Sequence, residues 1–137
     1  MEKMGVIATD KREIKFYYSS ASSIGKQALG YVQSSDKEVM NIDVCKTNMT
    51  GTQWAEIAAG LGKKVHQLID VSHPDFINEY GEEVEIEDEH DWMKILEKTP
   101  SVLKYPIIVS EETYLQVKQP SDAKIFLDGD SAEIEKK

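Results

Sequence analysis

The chain has 137 residues, which is enough for one domain with a hydrophobic core and too few for two. Hydrophobic residues make up 40% of the sequence and aromatic residues 8%, as in a globular rather than a disordered chain. The 25 acidic residues outnumber the 16 basic ones, so the net charge is −9. Because such a charge repels a phosphate backbone, direct nucleic-acid binding is not expected, whereas a basic protein surface is a suitable partner.

Cysteine content and hydropathy indicate a compartment. The single cysteine, Cys45, cannot form an internal disulfide, and no hydrophobic signal segment begins the chain. No apolar run reaches the roughly 20 residues that a membrane span needs. These features predict a cytoplasmic protein that does not act in a membrane.

Strand and helix patterns alternate through the first half of the chain. In chain order, the sequence predicts a loose lead-in at 1–13, a strand at 14–18, a serine-rich loop at 19–23, a helix at 24–33, a strand at 38–44 and a helix capped by residues 50–53 and stopped by Gly60 and Gly62. The strands follow from β-prone or alternating residues, and the helices from apolar residues at helical spacing. The serines suit a helix N-cap.

Short helices and a hairpin are predicted for the second half. In chain order, these are short helices at 63–81 with Pro74 opening one, an acidic loop at 82–91, a helix ending at 99–100, strands at 105–109 and 113–117, a helix from 120 through 127 and a charged tail at 128–137. The order βαβα, helices, ββα predicts a mixed α/β sandwich around one small sheet. A single domain is expected at 14–127.

Three short segments resemble the arsenate reductase (ArsC)/Spx family. Residues 96–109, LEKTPSVLKYPIIV, resemble its helix followed by x-P-x-L-x-R-P-I-V-V. Residues 118–122, KQPSD, resemble its x-R-P-S-E, and residues 68–74, LIDVSHP, resemble its L-I-R-T-x-x-P. The resemblance, over 14–127, implies a thioredoxin-like (glutaredoxin-type) mixed sheet of about four strands, with flanking helices and an inserted helical segment. It also implies a cis bond at Pro106, beside the active-site loop; a trans proline is the alternative.

The family positions that carry chemistry are occupied by other residue types here. The family places a nucleophilic cysteine in the loop after the first strand, where this chain has Ala21 or a neighbouring serine. Its three oxyanion-binding arginines correspond to Asp70, Tyr105 and Gln119. A serine cannot replace a thiol in a redox step. The resemblance therefore implies a degenerate site, with no catalytic residue and no arsenate reduction by the family mechanism.

The remaining chemically active residue types give no site by themselves. Cys45 is expected to be an inert, largely buried thiol, with thiol chemistry as the less favoured alternative. His66, His73 and His90 lack the spacing of a metal site, and the acidic run at 82–89 is typical of a solvated loop. We expect no metal and no cofactor.

Three functions stay open at this stage. The first is a redox-inactive module that binds another protein, as the resemblance to the Spx regulators implies. The second is an arsenate reductase or glutaredoxin-like thiol oxidoreductase that uses Cys45 or a partner's thiol. The third is small-anion binding by Ser20, Ser22 and Ser23 at the start of the first helix, with Pro106 beside them. There, Asp70 is expected to occupy the anion's place, with a solvent-facing Asp70 as the alternative.

Overall fold

The structure, a computed structural model, describes residues 13–111 and 113–136, with side chains as far as Asp128. The predicted lead-in therefore lies outside the described residues, apart from Glu13. The elements are β1 (Ile14–Tyr18), α1 (Ser23–Gln33), β2 (Val39–Asp43), α2 (Gly51–Leu61), α3 (Pro74–Tyr80), α4 (Glu89–Lys98), β3 (Ile107–Ser110), β4 (Thr113–Gln116) and α5 (Pro120–Lys136). Short 3-10 helices at Val65–Leu68 and Pro100–Val102 flank the inserted helices α3 and α4.

The four strands form one mixed sheet in the order β2-β1-β3-β4. Strands β1 and β2 are parallel and β1 and β3 antiparallel, while β3 and β4 form an antiparallel hairpin. A parallel pair needs a crossover, which α1 supplies. The predicted α/β sheet of about four strands with flanking helices is confirmed.

Each face of the sheet packs against its own hydrophobic core. Ile14 and Phe16 of β1 lie in a core with residues of α1 and α5. On the other face, half-buried Tyr17 packs against a larger core that contains residues of α2, α3 and α4. Successive side chains of a strand point to opposite faces, so β1 contributes to both cores. Burial of one large apolar side chain, such as Phe76, contributes about 1.5–3 kcal/mol.

The helix boundaries follow the predicted caps. The Ser22 side chain caps α1 by accepting a hydrogen bond from the Gly25 amide. Thr50 and Gln53 form a capping box at the start of α2, and Gly62 ends that helix with a φ of 71°. Pro74 occupies the first turn of α3. These predictions are confirmed, because each depends only on neighbouring residues. Gly60, which was also predicted as a stop, lies within α2 instead.

Two local predictions differ from the structure. None of the described peptide bonds is cis, so the cis bond expected at Pro106 is wrong. The Pro106 carbonyl accepts a hydrogen bond of 2.7 Å from the Val117 amide. The trans isomer, which is intrinsically favoured, forms this hydrogen bond. The charged tail at 128–137 is also helical as far as Lys136, as part of α5. Its alanine, glutamates and lysine are strong helix formers.

None of the described helices is long and apolar enough to cross a membrane.

Candidate functional site

The loop after β1 lies beside the end of β2. Tyr18 and Asp43 are paired at the last position of the parallel strands, and the Val44 amide donates to the Tyr18 carbonyl at 2.8 Å. The carboxyl ends of adjacent parallel strands are where α/β folds place binding sites. The topology therefore brings residues 19–22 next to residues 43–45.

Asp43 is the carboxylate that holds this loop. Its Oδ1 accepts hydrogen bonds of 3.1 Å from the backbone amides of both Ser20 and Cys45. Burial alone would raise the pKa of Asp43. The hydrogen bonds from Ser20 and Cys45 and the Lys46 charge outweigh that effect, so the pKa lies below its ordinary value of 3.8. Burial, with Asp43 as the second cause, raises the pKa of the neighbouring Tyr18.

Ser19 joins the loop to the only thiol. Its side chain is buried, and its hydroxyl oxygen lies 3.2 Å from the Cys45 sulfur, where either group can donate. The same oxygen accepts a hydrogen bond of 3.1 Å from the Ala21 amide. The structure therefore brings Cys45 to the loop in which the resemblance places a cysteine, but from a different strand.

Cys45 is exposed, so the expected burial of this thiol is wrong. Strand β2 ends at Asp43, and the apolar residue that follows, Val44, is fully buried in the larger core. Cys45 follows in the turn after the strand, where its side chain is exposed. A short sequence pattern could not show which of these neighbouring side chains faces inward.

Helix α1 begins very close to the loop. A Cβ atom on Gly25 would lie 2.5 Å from the Ser19 carbonyl oxygen, far inside van der Waals contact. Only glycine fits here, since its lack of a side chain lets two backbones approach. Sequence reasoning missed both Gly25 and Asp43. The available signals were a glycine in the first turn of α1 and an acid at the end of the strand parallel to β1.

Three backbone amides of the loop donate hydrogen bonds within the chain. The Ser20 amide donates to Asp43, the Ala21 amide to the Ser19 hydroxyl, and the Ser22 amide to the Ser19 carbonyl at 3.0 Å. The carboxylate that accepts a hydrogen bond from this loop is Asp43, whereas Asp70 was the residue expected there. The reason is topological, because the parallel pairing of β1 and β2 delivers Asp43 to this position.

The three positions that resemble the family's arginines lie outside this hydrogen-bond network. Asp70 accepts from the amide and hydroxyl of Ser72, at 3.0 and 2.6 Å, within its own turn. The Lys104 ammonium lies over the half-buried Tyr105 ring, 5.6 Å from its centroid. Gln119 is exposed. No hydrogen bond among the described residues joins these three positions to the loop.

Pro106 and the histidines also have local roles. Pro106 is fully buried before β3. His66 Nδ1 lies 3.7 Å from Glu89, while His73 caps α3 by accepting from the Asp75 amide. His90 is exposed. The part of the chain that the structure describes contains no group of three or more His, Cys, Asp or Glu side chains that could hold a metal ion.

The fold is that of solved arsenate reductase structures. An arsenate reductase from Vibrio cholerae superposes with a TM-score of 0.69 at 12% identity, over 82% of this chain and 96% of that one. A Yersinia pestis protein assigned as an arsenate reductase also gives a TM-score of 0.69, at 14% identity, over 80% and 96% of the two chains. An arsenate reductase-related protein from Brucella melitensis gives 0.60 at 12% identity, over 83% and 93%.

These likenesses show a thioredoxin-like fold of the arsenate reductase type. No protein-family model matches the sequence, and no curated protein matches it. At 12–14% identity, the structural likeness extends to the path of the chain and carries no activity with it.

Proposed function

We propose that this chain is a redox-inactive domain of the arsenate reductase/Spx type that acts by binding another protein. The observation that carries the proposal is the internally satisfied loop after β1. The place where an oxyanion would meet backbone amides holds the Asp43 carboxylate, which accepts from both Ser20 and Cys45. An incoming arsenate would have to displace that carboxylate or bind against its negative charge.

The cation content supports the same conclusion. Arg12 is the only arginine in the sequence, so a site built from three arginines is impossible. The positions that resemble those arginines hold an acid, a phenol and an amide. Planar guanidinium groups bind tetrahedral oxyanions with two parallel hydrogen bonds, and no lysine reproduces that geometry.

The charge distribution indicates the kind of partner. The net charge is −9, and seven of the ten residues at 82–91 are acidic. Most side chains in this stretch are exposed. A protein with a basic surface would be steered to such a region, with association rates that fall as salt rises.

The test has a chemical arm and a binding arm. With glutathione and glutaredoxin, we expect no arsenate reduction above a blank without protein. A tagged chain should capture a host protein that rebinds saturably after purification, and more weakly at high salt. Replacement of Glu82, Glu83 and Glu85 by glutamine should weaken that rebinding, whereas replacement of the exposed Glu79 and Glu97 should not. Arsenate turnover that disappears in Cys45→Ser would overturn the proposal.

One observation favours a second function. Cys45 is an exposed free thiol beside the loop, as a thiol oxidoreductase would require. If this function is the correct one, Cys45 should react with iodoacetamide faster than free cysteine at neutral pH. It should also form a mixed disulfide with oxidised glutathione that Cys45→Ser cannot form. A rate no faster than that of free cysteine would exclude this alternative.

A further inference from the structure

A second concave site lies at the opposite end of β1 from the loop. A cavity of about 420 Å³ opens between the sheet and helix α2. This volume is in the range of small-molecule sites. Three glutamates, one lysine and two tyrosines are among the residues that line it. None of them belongs to the hydrogen-bonded loop that contains Ser19 and Cys45.

The sheet register places the walls of the cavity. Lys15 of β1 pairs with Val109 of β3, which in turn pairs with Tyr114 of β4. Since paired residues share a face of the sheet, these three side chains form one row across it. Tyr17 is two residues from Lys15 on the same face, and Glu56 faces the row from α2.

A glycine holds one tyrosine ring in place. A Cβ atom on Gly60 would lie 2.4 Å from two ring atoms of Tyr114. The ring therefore packs directly against the backbone of α2, at a position where any other residue would displace it. An isolated glycine inside a helix costs about 1 kcal/mol relative to alanine. The close approach of Tyr114 is a physical reason for the glycine here, and it gives the cavity a fixed aromatic wall.

Among the described residues, no ion pair joins Lys15 to Glu13 or Glu56, the two glutamates that contribute most clearly to the electrostatics of Tyr17. Burial is the largest cause that raises the pKa of Tyr17, followed by Tyr114 and then by these glutamates. Of these causes, only the two glutamates carry a negative charge at neutral pH.

We propose that this cavity binds an organic cation, a guanidinium or alkylammonium group, between the carboxylates of Glu13 and Glu56 and the two tyrosine side chains. Carboxylates and the faces of aromatic rings both attract such a cation, and the phenol oxygens can accept its hydrogen bonds. The group belongs either to a free small molecule or to an arginine or lysine side chain of a protein. The site does not depend on the proposed function of the loop.

Calorimetry and amide chemical shifts of the full chain test the proposal. We expect N-acetyl-arginine amide to bind saturably, with shifts in β1, β4 and α2, and its neutral urea isostere N-acetyl-citrulline amide not to bind. Glu56→Gln should weaken binding about fivefold, since a charge pair at 4 Å in water is worth about 1 kcal/mol. The matched control Glu79→Gln, on α3 outside the cavity, should leave the affinity unchanged. Non-saturable binding, or equal losses in both variants, would overturn the proposal by showing only attraction to the net charge.

Two further measurements test the contribution of the Tyr114 ring and identify the source of the cation. Gly60→Ala should displace the Tyr114 ring and weaken binding while circular dichroism stays unchanged. If this variant does not fold, Glu56→Gln still carries the test; if it folds and binds as well as the wild type, the proposed aromatic wall is wrong. A capped Gly-Arg-Gly peptide that binds about tenfold more tightly than N-acetyl-arginine amide identifies a protein side chain. Equal affinities identify a free cation.

Discussion

The Asp43 side chain holds the loop after β1 against the end of β2 by accepting hydrogen bonds from backbone amides. Its carboxylate accepts two backbone hydrogen bonds, from the amides of Ser20 and Cys45. A carboxylate that accepts amide hydrogen bonds is stabilised in its charged form, which accounts for the lowered pKa. The same side chain therefore joins the loop after β1 to the end of β2.

Replacement of Asp43 by alanine should lower the free energy of unfolding by about 1–2 kcal/mol, because two amides lose a charged acceptor at a partly exposed position. The control Asp36→Ala, in the exposed turn before β2, should change stability by less than about 0.5 kcal/mol. Urea denaturation at neutral pH measures both. Equal losses in the two variants would contradict the role given to Asp43.

The contribution of Asp43 should depend on pH. Because its folded-state pKa lies below the unfolded value, its stabilisation is fully present above the unfolded pKa, about 3.9, and is lost as pH falls through the folded pKa. The stability difference between the wild type and Asp43→Asn should therefore be constant above about pH 5 and shrink below about pH 4. A difference that stays constant down to pH 2 would show that the charge contributes nothing.

At the scale of elements, Gly25 sets the distance between α1 and the loop. The effect of this close approach on stability can be separated from the effect of helix propensity. Glycine and alanine differ by about 1 kcal/mol in favour of alanine in a helix. Gly30, in the same helix, has no atom within 4 Å of the position its Cβ would occupy, whereas at Gly25 the Ser19 carbonyl lies 2.5 Å away. Gly25 is buried in the first turn of the helix, whereas Gly30 is exposed, so alanine can be accommodated only at Gly30.

Gly30→Ala should stabilise the protein by about 0.5–1 kcal/mol, and Gly25→Ala should destabilise it by about 1–3 kcal/mol as the loop is forced away from the helix. Thermal unfolding of the two variants gives opposite shifts in Tm. If Gly25→Ala raises the Tm, the loop can move away from the helix without a loss of stability. The Cys45 thiol should also become more reactive in Gly25→Ala, because its partner Ser19 moves.

Glu89 connects helix α4 to the 3-10 helix at Val65–Leu68. A carboxylate oxygen of Glu89 accepts a short hydrogen bond from the amide of the buried Val65. Glu89→Ala should cost about 1–3 kcal/mol, the penalty for leaving a buried donor unsatisfied. The exposed neighbour Glu87→Ala serves as the control, with an expected change below about 0.5 kcal/mol. Urea denaturation that shows no difference between the variants would contradict this attachment.

At the scale of the whole molecule, net charge affects stability. With a net charge of −9, like charges repel in the compact state, most strongly where the acids at 82–91 are concentrated. Salt in the physiological range screens charges more than about 8 Å apart. We therefore expect the Tm to rise by a few degrees between about 10 and 150 mM NaCl. A Tm that falls with salt would show that attractive ion pairs dominate instead.

Much of this protein was determined by the sequence alone, because the relevant interactions are local. The caps at Ser22 and Thr50, the stop at Gly62 and the start of α3 at Pro74 each depend on residues within one helical turn. The order of strands and helices, together with three short resemblances, was sufficient to predict the thioredoxin-like sheet. The absence of a cysteine and of arginines at the family positions is likewise a property of sequence.

The tertiary structure decided which residues meet. Asp43 reaches the loop because β2 lies parallel to β1, and Cys45 meets Ser19 although 26 positions separate them in the chain. Asp70, which the sequence placed there, forms its hydrogen bonds within its own turn instead. The ring of Tyr114 and the backbone of Gly60 come together only when β4 packs against α2. Such contacts depend on register and on the packing of distant elements, and neither is encoded in the spacing of neighbouring residues.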